Sequence, residues 1–135
     1  MLPNECARAG REEMTLRKID HIQLAIPAGQ ENNARRFYGD LLGMAEVVKP
    51  AQLAARGGCW FECNEIRVHL GIDPAFVPAK KAHPAFIVDD LEALCAVLEA
   101  AGYQTVQDQP LDGFLRRYVN DPFGNRIELM QVEEG

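Results

Sequence analysis

Ile66-Arg67-Val68-His69-Leu70-Gly71-Ile72 and Asn125-Arg126-Ile127-Glu128-Leu129-Met130-Gln131 are two strand-like stretches with matching positions. In the first, Ile66, Val68, Leu70 and Ile72 form an apolar face, and Arg67, His69 and Gly71 form the other. Arg126 and Glu128 follow Arg67 and His69 by the same 59 residues, as Gly102 follows Gly43. His21 and His83 are 62 apart, the extra three residues falling in the longer loop 27–33. Such offsets indicate an internal repeat.

Each copy reads as βαβββ. The first has a strand ending at Ile26, with Ile22, Leu24 and Ile26 on one face. Its helix, near 32–42, buries Ala34, Phe37, Leu41 and Leu42 and stops at Gly43. Strands at 44–49, 58–63 and 66–72 follow. The second opens on a strand at 83–88. Its helix is expected to start at Asp89, with Glu92 completing a capping box, and to end at Gly102. Strands at 103–107, 115–120 and 125–131 close it, with Asp121-Pro122-Phe123-Gly124-Asn125 as a turn. The expected fold is α+β: two βαβββ modules, eight strands in all, each module a curved sheet with one helix on one face. The expected divisions are a mobile N-terminal extension at 1–15, modules at 16–73 and 83–135, and a linker at 74–82. One sheet face in each module lacks a covering helix and needs the other module or a partner chain.

The chain has 135 residues, 47% hydrophobic and 25% charged, which suits one soluble domain. Its net charge of −6 comes without a basic stripe, which argues against a nucleic-acid partner. No apolar run reaches the roughly 18–20 residues of a membrane span, and residues 1–14 lack the apolar core of a signal peptide. A cytoplasmic location is expected. Cys6, Cys59, Cys63 and Cys95 form no CxxC pair and are read as reduced thiols.

The only three histidines, His21, His69 and His83, stand with Glu128 at repeat-related positions in the first and last strands. Strand parity turns all four away from the helices, into the groove. Imidazole and carboxylate bind Zn²⁺, Ni²⁺, Mn²⁺ and Fe²⁺, so a divalent metal site is expected. Four ligands suit Zn or Ni and Lewis-acid chemistry. Three ligands with His69 as acid/base suit Fe or Mn. Arg67 and Arg126, each two residues before a ligand candidate, can bind a substrate anion, support an oxyanion or form ion pairs at the groove mouth. Tyr118 can reach the site as a proton donor or pack as an aromatic. Trp60 can line the pocket or the core, and Gln23 faces the groove.

IDHIQLAIP, ARRFYGDLLGM, WFECNEIRVHLGI, AHPAFIVDDLEAL and DPFGNRIELMQ resemble the vicinal oxygen chelate superfamily. That superfamily includes glyoxalase I, fosfomycin- and bleomycin-resistance proteins and extradiol dioxygenases. The resemblance implies a cupped, half-open sheet around a divalent metal, usually in a homodimer. Its metal positions map to His21, His69, His83 and Glu128, of which members with three ligands use His21, His83 and Glu128. It places His69 as a fourth ligand or an acid/base, and Glu128 as a ligand that can double as base. His69 stands where glutathione-dependent glyoxalases carry Glu, and Ala25 where they carry Arg, which disfavours that activity. Gln23 replaces a Thr of the fosfomycin enzymes. The favoured function is Lewis-acid chelation of a small oxygenated substrate by a lyase or isomerase. The alternatives are an extradiol-type dioxygenase using Fe or Mn, and a dimer that binds a drug or metabolite without catalysis.

Overall fold

A computed structural model describes residues 14–134. Most of the extension expected at 1–15 lies outside the described residues. Strand β1 (Ile22–Ile26) buries Leu24 and Ile26. A first helical turn, α1 (Glu31–Ala34), widens into a π-helical segment over Arg35–Leu41, in which Leu42 N–H reaches Phe37 C=O at 2.9 Å. The segment buries Ala34, Phe37 and Tyr38. Gly43 ends it at φ 79°, in the left-handed region that glycine enters freely. β2 (Ala45–Val47), a short α2 (Ala51–Ala54) begun by Pro50, and β3 (Cys59–Cys63) follow. Asn64 takes φ 53° in the tight turn from β3 into β4 (Ile66–Ile72), where its short polar side chain tolerates that conformation. The second half comprises β5 (Ala85–Ile87), α3 (Leu91–Ala100), β6 (Phe114–Asn120) and β7 (Arg126–Val132).

Hydrogen bonds divide the strands into two sheets, β1-β4-β3-β2 and β5-β7-β6. In each, the first strand of the half lies parallel to the last, and the remaining pairs are antiparallel. The apolar faces and the helices share one core, including Ile26, Phe37, Tyr38, Val68, Leu70, Leu98, Ile127 and Leu129. Each such large side chain removed from water contributes roughly 1.5–3 kcal/mol. Among the described residues, no helix is long and apolar enough to cross a membrane.

The α+β class and its paired arrangement are present, with local differences. The eighth strand, expected at 103–107, is a single bridge between Val106 and Tyr118. Val106 is half exposed, and polar residues around it supply no alternating apolar face to hold a longer strand. The cap of α3 is Asp90, not Asp89: its carboxylate accepts the Ala93 N–H at 3.1 Å. That phase puts Leu91, Cys95 and Leu98 in the core and moves Glu92 out of capping-box position. The Asp121–Asn125 turn does more than reverse the chain. Asp121 accepts both the Phe123 and Asn125 N–H groups and the buried Tyr38 hydroxyl, the last at 2.7 Å. Asn125 donates to Ala25 C=O in β1 at 2.9 Å. A buried polar latch therefore joins the halves with its groups satisfied.

Candidate functional site

The uncovered face of the first sheet carries two side-chain rows. Register aligns Gln23, His69 and Trp60 across β1, β4 and β3, with Arg67 and Glu62 in the adjacent row. His21 sits just before β1 and stacks on His69 with ring centroids 4.1 Å apart. Trp60 also stacks on His69, at 3.8 Å and 3° between planes. Burial, followed by repulsion from His21, holds the His69 pKa below its ordinary value, favouring the neutral ring. Asp20 accepts from Arg67 at 2.9 Å and lies 3.0 Å from His21 Nδ1. Arg67 also lies 3.9 Å from Glu62. Its nearest polar partners in the described chain are therefore acidic groups at the groove mouth.

The second sheet presents an ionic network. Glu128, in the middle of β7, is only 7% exposed. Its Oε1 lies 3.0 Å from His83 Nε2, and its Oε2 accepts from Arg116 Nη1 at 3.2 Å. Burial alone raises the Glu128 pKa. The His83 and Arg116 hydrogen bonds and charges outweigh that effect and hold it below the ordinary carboxylate value. Arg116 also donates to the Tyr118 hydroxyl at 2.9 Å, and through Nε and Nη2 to Gln109 C=O. The Arg126 guanidinium lies over the Tyr118 ring at 3.8 Å, while the His83 ring meets Tyr118 edge-on at 5.4 Å. Arg126 is also 4.0 Å from Asp108.

The His83 ring supplies a test of fit for a metal. Its Nδ1 lies 2.8 Å from Lys81 C=O, which orients the ring with that nitrogen as donor. Its Nε2 then faces the Glu128 carboxylate. Either a proton or a cation must lie between these two groups. The pair therefore has the chemistry of two metal ligands with a fixed tautomer. Among the described residues, no three His, Cys, Asp or Glu side chains are grouped closely enough to hold a metal ion. Each sheet supplies a pair: His21 with His69, and His83 with Glu128. An open groove lined by Asp20, His21 and Arg67 on one side and by Ala85 and Ile87 on the other runs where the sheets approach.

Gln23 and Trp60 line a separate cleft beside the ring stack. Arg116 was not singled out in the sequence as a site residue. Its position two residues before Tyr118 puts both on one strand face, a signal that parity could have exposed. Asp20 has no such signal, because it precedes the regular part of β1.

The sequence profile of the Glyoxalase/Bleomycin resistance protein/Dioxygenase superfamily matches residues 18–129, and this chain belongs to that superfamily. A glyoxalase family protein from Bacillus anthracis is 44% identical, with TM-score 0.84 over 88% of this chain and 98% of its own. A glyoxalase/dioxygenase from Nostoc punctiforme is 25% identical, with TM-score 0.73 over 88% of this chain and 93% of its own. The fosfomycin resistance protein FosX from Listeria monocytogenes shares the fold at 14% identity and TM-score 0.71, over 88% of this chain and 96% of its own. A comparison with curated proteins finds no match.

Proposed function

We propose that this protein is a metal-dependent enzyme acting on a small oxygenated molecule by Lewis-acid chelation, with lyase or isomerase chemistry. The observation that carries this reading is the His83–Glu128 pair, whose two facing acceptors call for a cation or proton between them. His21, His83 and Glu128 would hold the metal. The stacking of His69 between Trp60 and His21 favours a neutral acid/base role for His69 over that of a fourth ligand.

A homodimer is part of the proposal. His21 and the His83–Glu128 pair lie on different sheets, and Ile87 and Val132 are about half exposed on the second uncovered face. A second copy can cover those faces and bring the donor pairs together. A bound divalent metal would polarise adjacent substrate oxygens and stabilise a developing enolate or alkoxide. The protein supplies the rest. Arg116 keeps Glu128 ionised and orients it. Tyr118 accepts from Arg116, which leaves its own hydroxyl proton available to a substrate oxygen. Neutral His69 can accept a proton.

Elemental analysis of untagged protein, wild type and Glu128→Gln, tests the reading. Near-stoichiometric Zn or Ni in wild type, depleted in the variant, is expected. Iron or manganese would move the assignment to extradiol-type dioxygenase chemistry, which the three-ligand arrangement with a free His69 also suits. Absence of metal after reconstitution at neutral pH would overturn the enzyme reading and favour a binding protein.

A further inference from the structure

Beside the ring stack, on the same sheet face, lies a cleft of about 280 Å³. Trp60, Leu70, Gly71, Ile72 and Gln23 line its sheet side, and Lys49, Leu53, Arg56 and Gly57 come from α2 and its flanks. Among the described residues, no acidic side chain lines it, although the chain as a whole carries net charge −6. Arg56 is exposed, and its guanidinium has no hydrogen-bond or ion-pair partner among the described residues. Lys49 donates through Nζ to Gly57 C=O. The nearby Glu31 carboxylate accepts the Gly58 N–H at 3.0 Å and also attracts Lys49, so Arg56 is the cation of the cleft left without a carboxylate partner among the described residues.

The shape of the cleft follows from local sequence. Pro50 starts the short helix that carries Leu53 and leads to Arg56. Gly57 and Gly58, at φ 75° and 80°, return the chain to β3 and Trp60. Gly71 has no Cβ, and a methyl there would run into the Gln23 amide, so that amide lies across the cleft floor.

We propose that this cleft is a subsite for the anionic end of a small organic acid. Arg56 and Lys49 hold the charged head, and Trp60, Leu53 and Ile72 contact an apolar body. An arginine and a lysine at the rim of an apolar cleft suit a carboxylate or a phosphonate, and Arg can bind either bidentately. Trp60 and Gln23 belong both to the cleft and to the row containing His69. An acid seated there therefore directs the rest of the molecule toward His69 and His21. The substrate class this assigns, an oxygenated organic acid, rests on the enzyme reading above; binding of the anion does not.

Trp60 is the sole tryptophan, so its fluorescence reports on the cleft directly. The full chain, kept metal-free with EDTA, is titrated with phenylacetate, with phenylphosphonate and with uncharged phenylacetamide. Saturable change with at least one anion is expected, weakening with added salt, and phenylacetamide should bind at least about tenfold more weakly. The tighter anion identifies the head group. Arg56→Gln removes no side-chain bond among the described residues and should weaken anion binding at least about tenfold, while Arg56→Lys, which keeps the charge but loses the bidentate fork, should weaken it less. Binding of phenylacetamide equal to that of the anions, an unchanged titration in Arg56→Gln, or no saturation by either anion would overturn the subsite. Metal-free anion binding separates this outcome from failure of the metal reading. A chain that binds anions but never metal refutes only the latter, and one that binds metal but no anion refutes only the former.

Discussion

The rows Gln23–His69–Trp60 and Ala85–Glu128–Tyr118 occupy equivalent places in the two sheets, yet their chemistry differs. In the first, aromatic rings stack around a histidine that burial and His21 hold toward the neutral form. In the second, a buried carboxylate is bracketed by an arginine and a histidine. One strand arrangement thus presents an imidazole held toward its neutral form on one side and a carboxylate held toward its charged form on the other. The backbone repeat sets where groups stand, and their neighbours set protonation. Loss of a buried ionic partner exposes charge without compensation, whereas loss of one ring from a stack removes contact area.

The sharpest way to break this comparison is to exchange the two donors' roles. Glu128→Gln should lower metal affinity by more than about 100-fold, since even partners outside the ligand set are worth 10–100-fold. His69→Gln should lower it less than about tenfold. Metal titration of both variants decides the matter: equal losses would make His69 a fourth ligand and the halves chemically equivalent.

A second contrast concerns the glycines that precede β3 and β6. Gly58 and Gly113 both have positive φ, at 80° and 85°. A methyl at Gly58 would strike the Leu70 carbonyl oxygen, whereas at Gly113 it meets nothing within 4 Å among the described residues. Gly113→Ala should destabilise by about 1–2 kcal/mol from conformational strain alone. Gly58→Ala should exceed about 3 kcal/mol, with strain and a backbone clash combined. Urea unfolding measures both, and similar values would mean that the β3–β4 edge is free to shift.

The latch between the halves is next. Tyr38→Phe removes the hydroxyl that donates to Asp121 and leaves a buried carboxylate oxygen with one donor fewer. The expected loss is roughly 1–3 kcal/mol. A loss below about 0.5 kcal/mol would show that the Asn125 contacts hold the halves together without it.

The smallest effect is electrostatic. Chiefly the hydrogen bond from the Gly58 N–H holds the Glu31 pKa below its ordinary value of 4.5. A depressed carboxylate contributes stability above its unfolded pKa and loses it as pH falls through the folded value. Glu31→Gln should therefore flatten the stability–pH slope below about pH 4.5 and leave the slope at neutral pH unchanged. An unaltered acid limb would remove Glu31 from the first half's account.

Much of this was legible in sequence. Period-2 alternation around Val68, Leu70, Ile127 and Leu129 revealed strands, and the 59-residue offset revealed the repeat. The histidines and Glu128 stood out because few residue types ligate metals. Arg116 was harder to see, since an arginine on an outer strand looks the same whether it meets solvent or a buried carboxylate. The eighth strand failed for the opposite reason. Local β character around Val106 was real, but only one residue pair found a partner.

The sequence by itself determined the periodicities, the stops at Gly43 and Gly102, and which residues could serve as donors, because these depend on local backbone preference and side-chain chemistry. Only the tertiary structure decided that His69 lies inside a ring stack, that Arg116 forms an ion pair with Glu128, and that Asp121 and Asn125 join the halves. Those outcomes depend on distances between residues far apart in the chain, such as the 83 positions separating Tyr38 from Asp121. Such distances are set by the packing of the shared core, which no local pattern encodes.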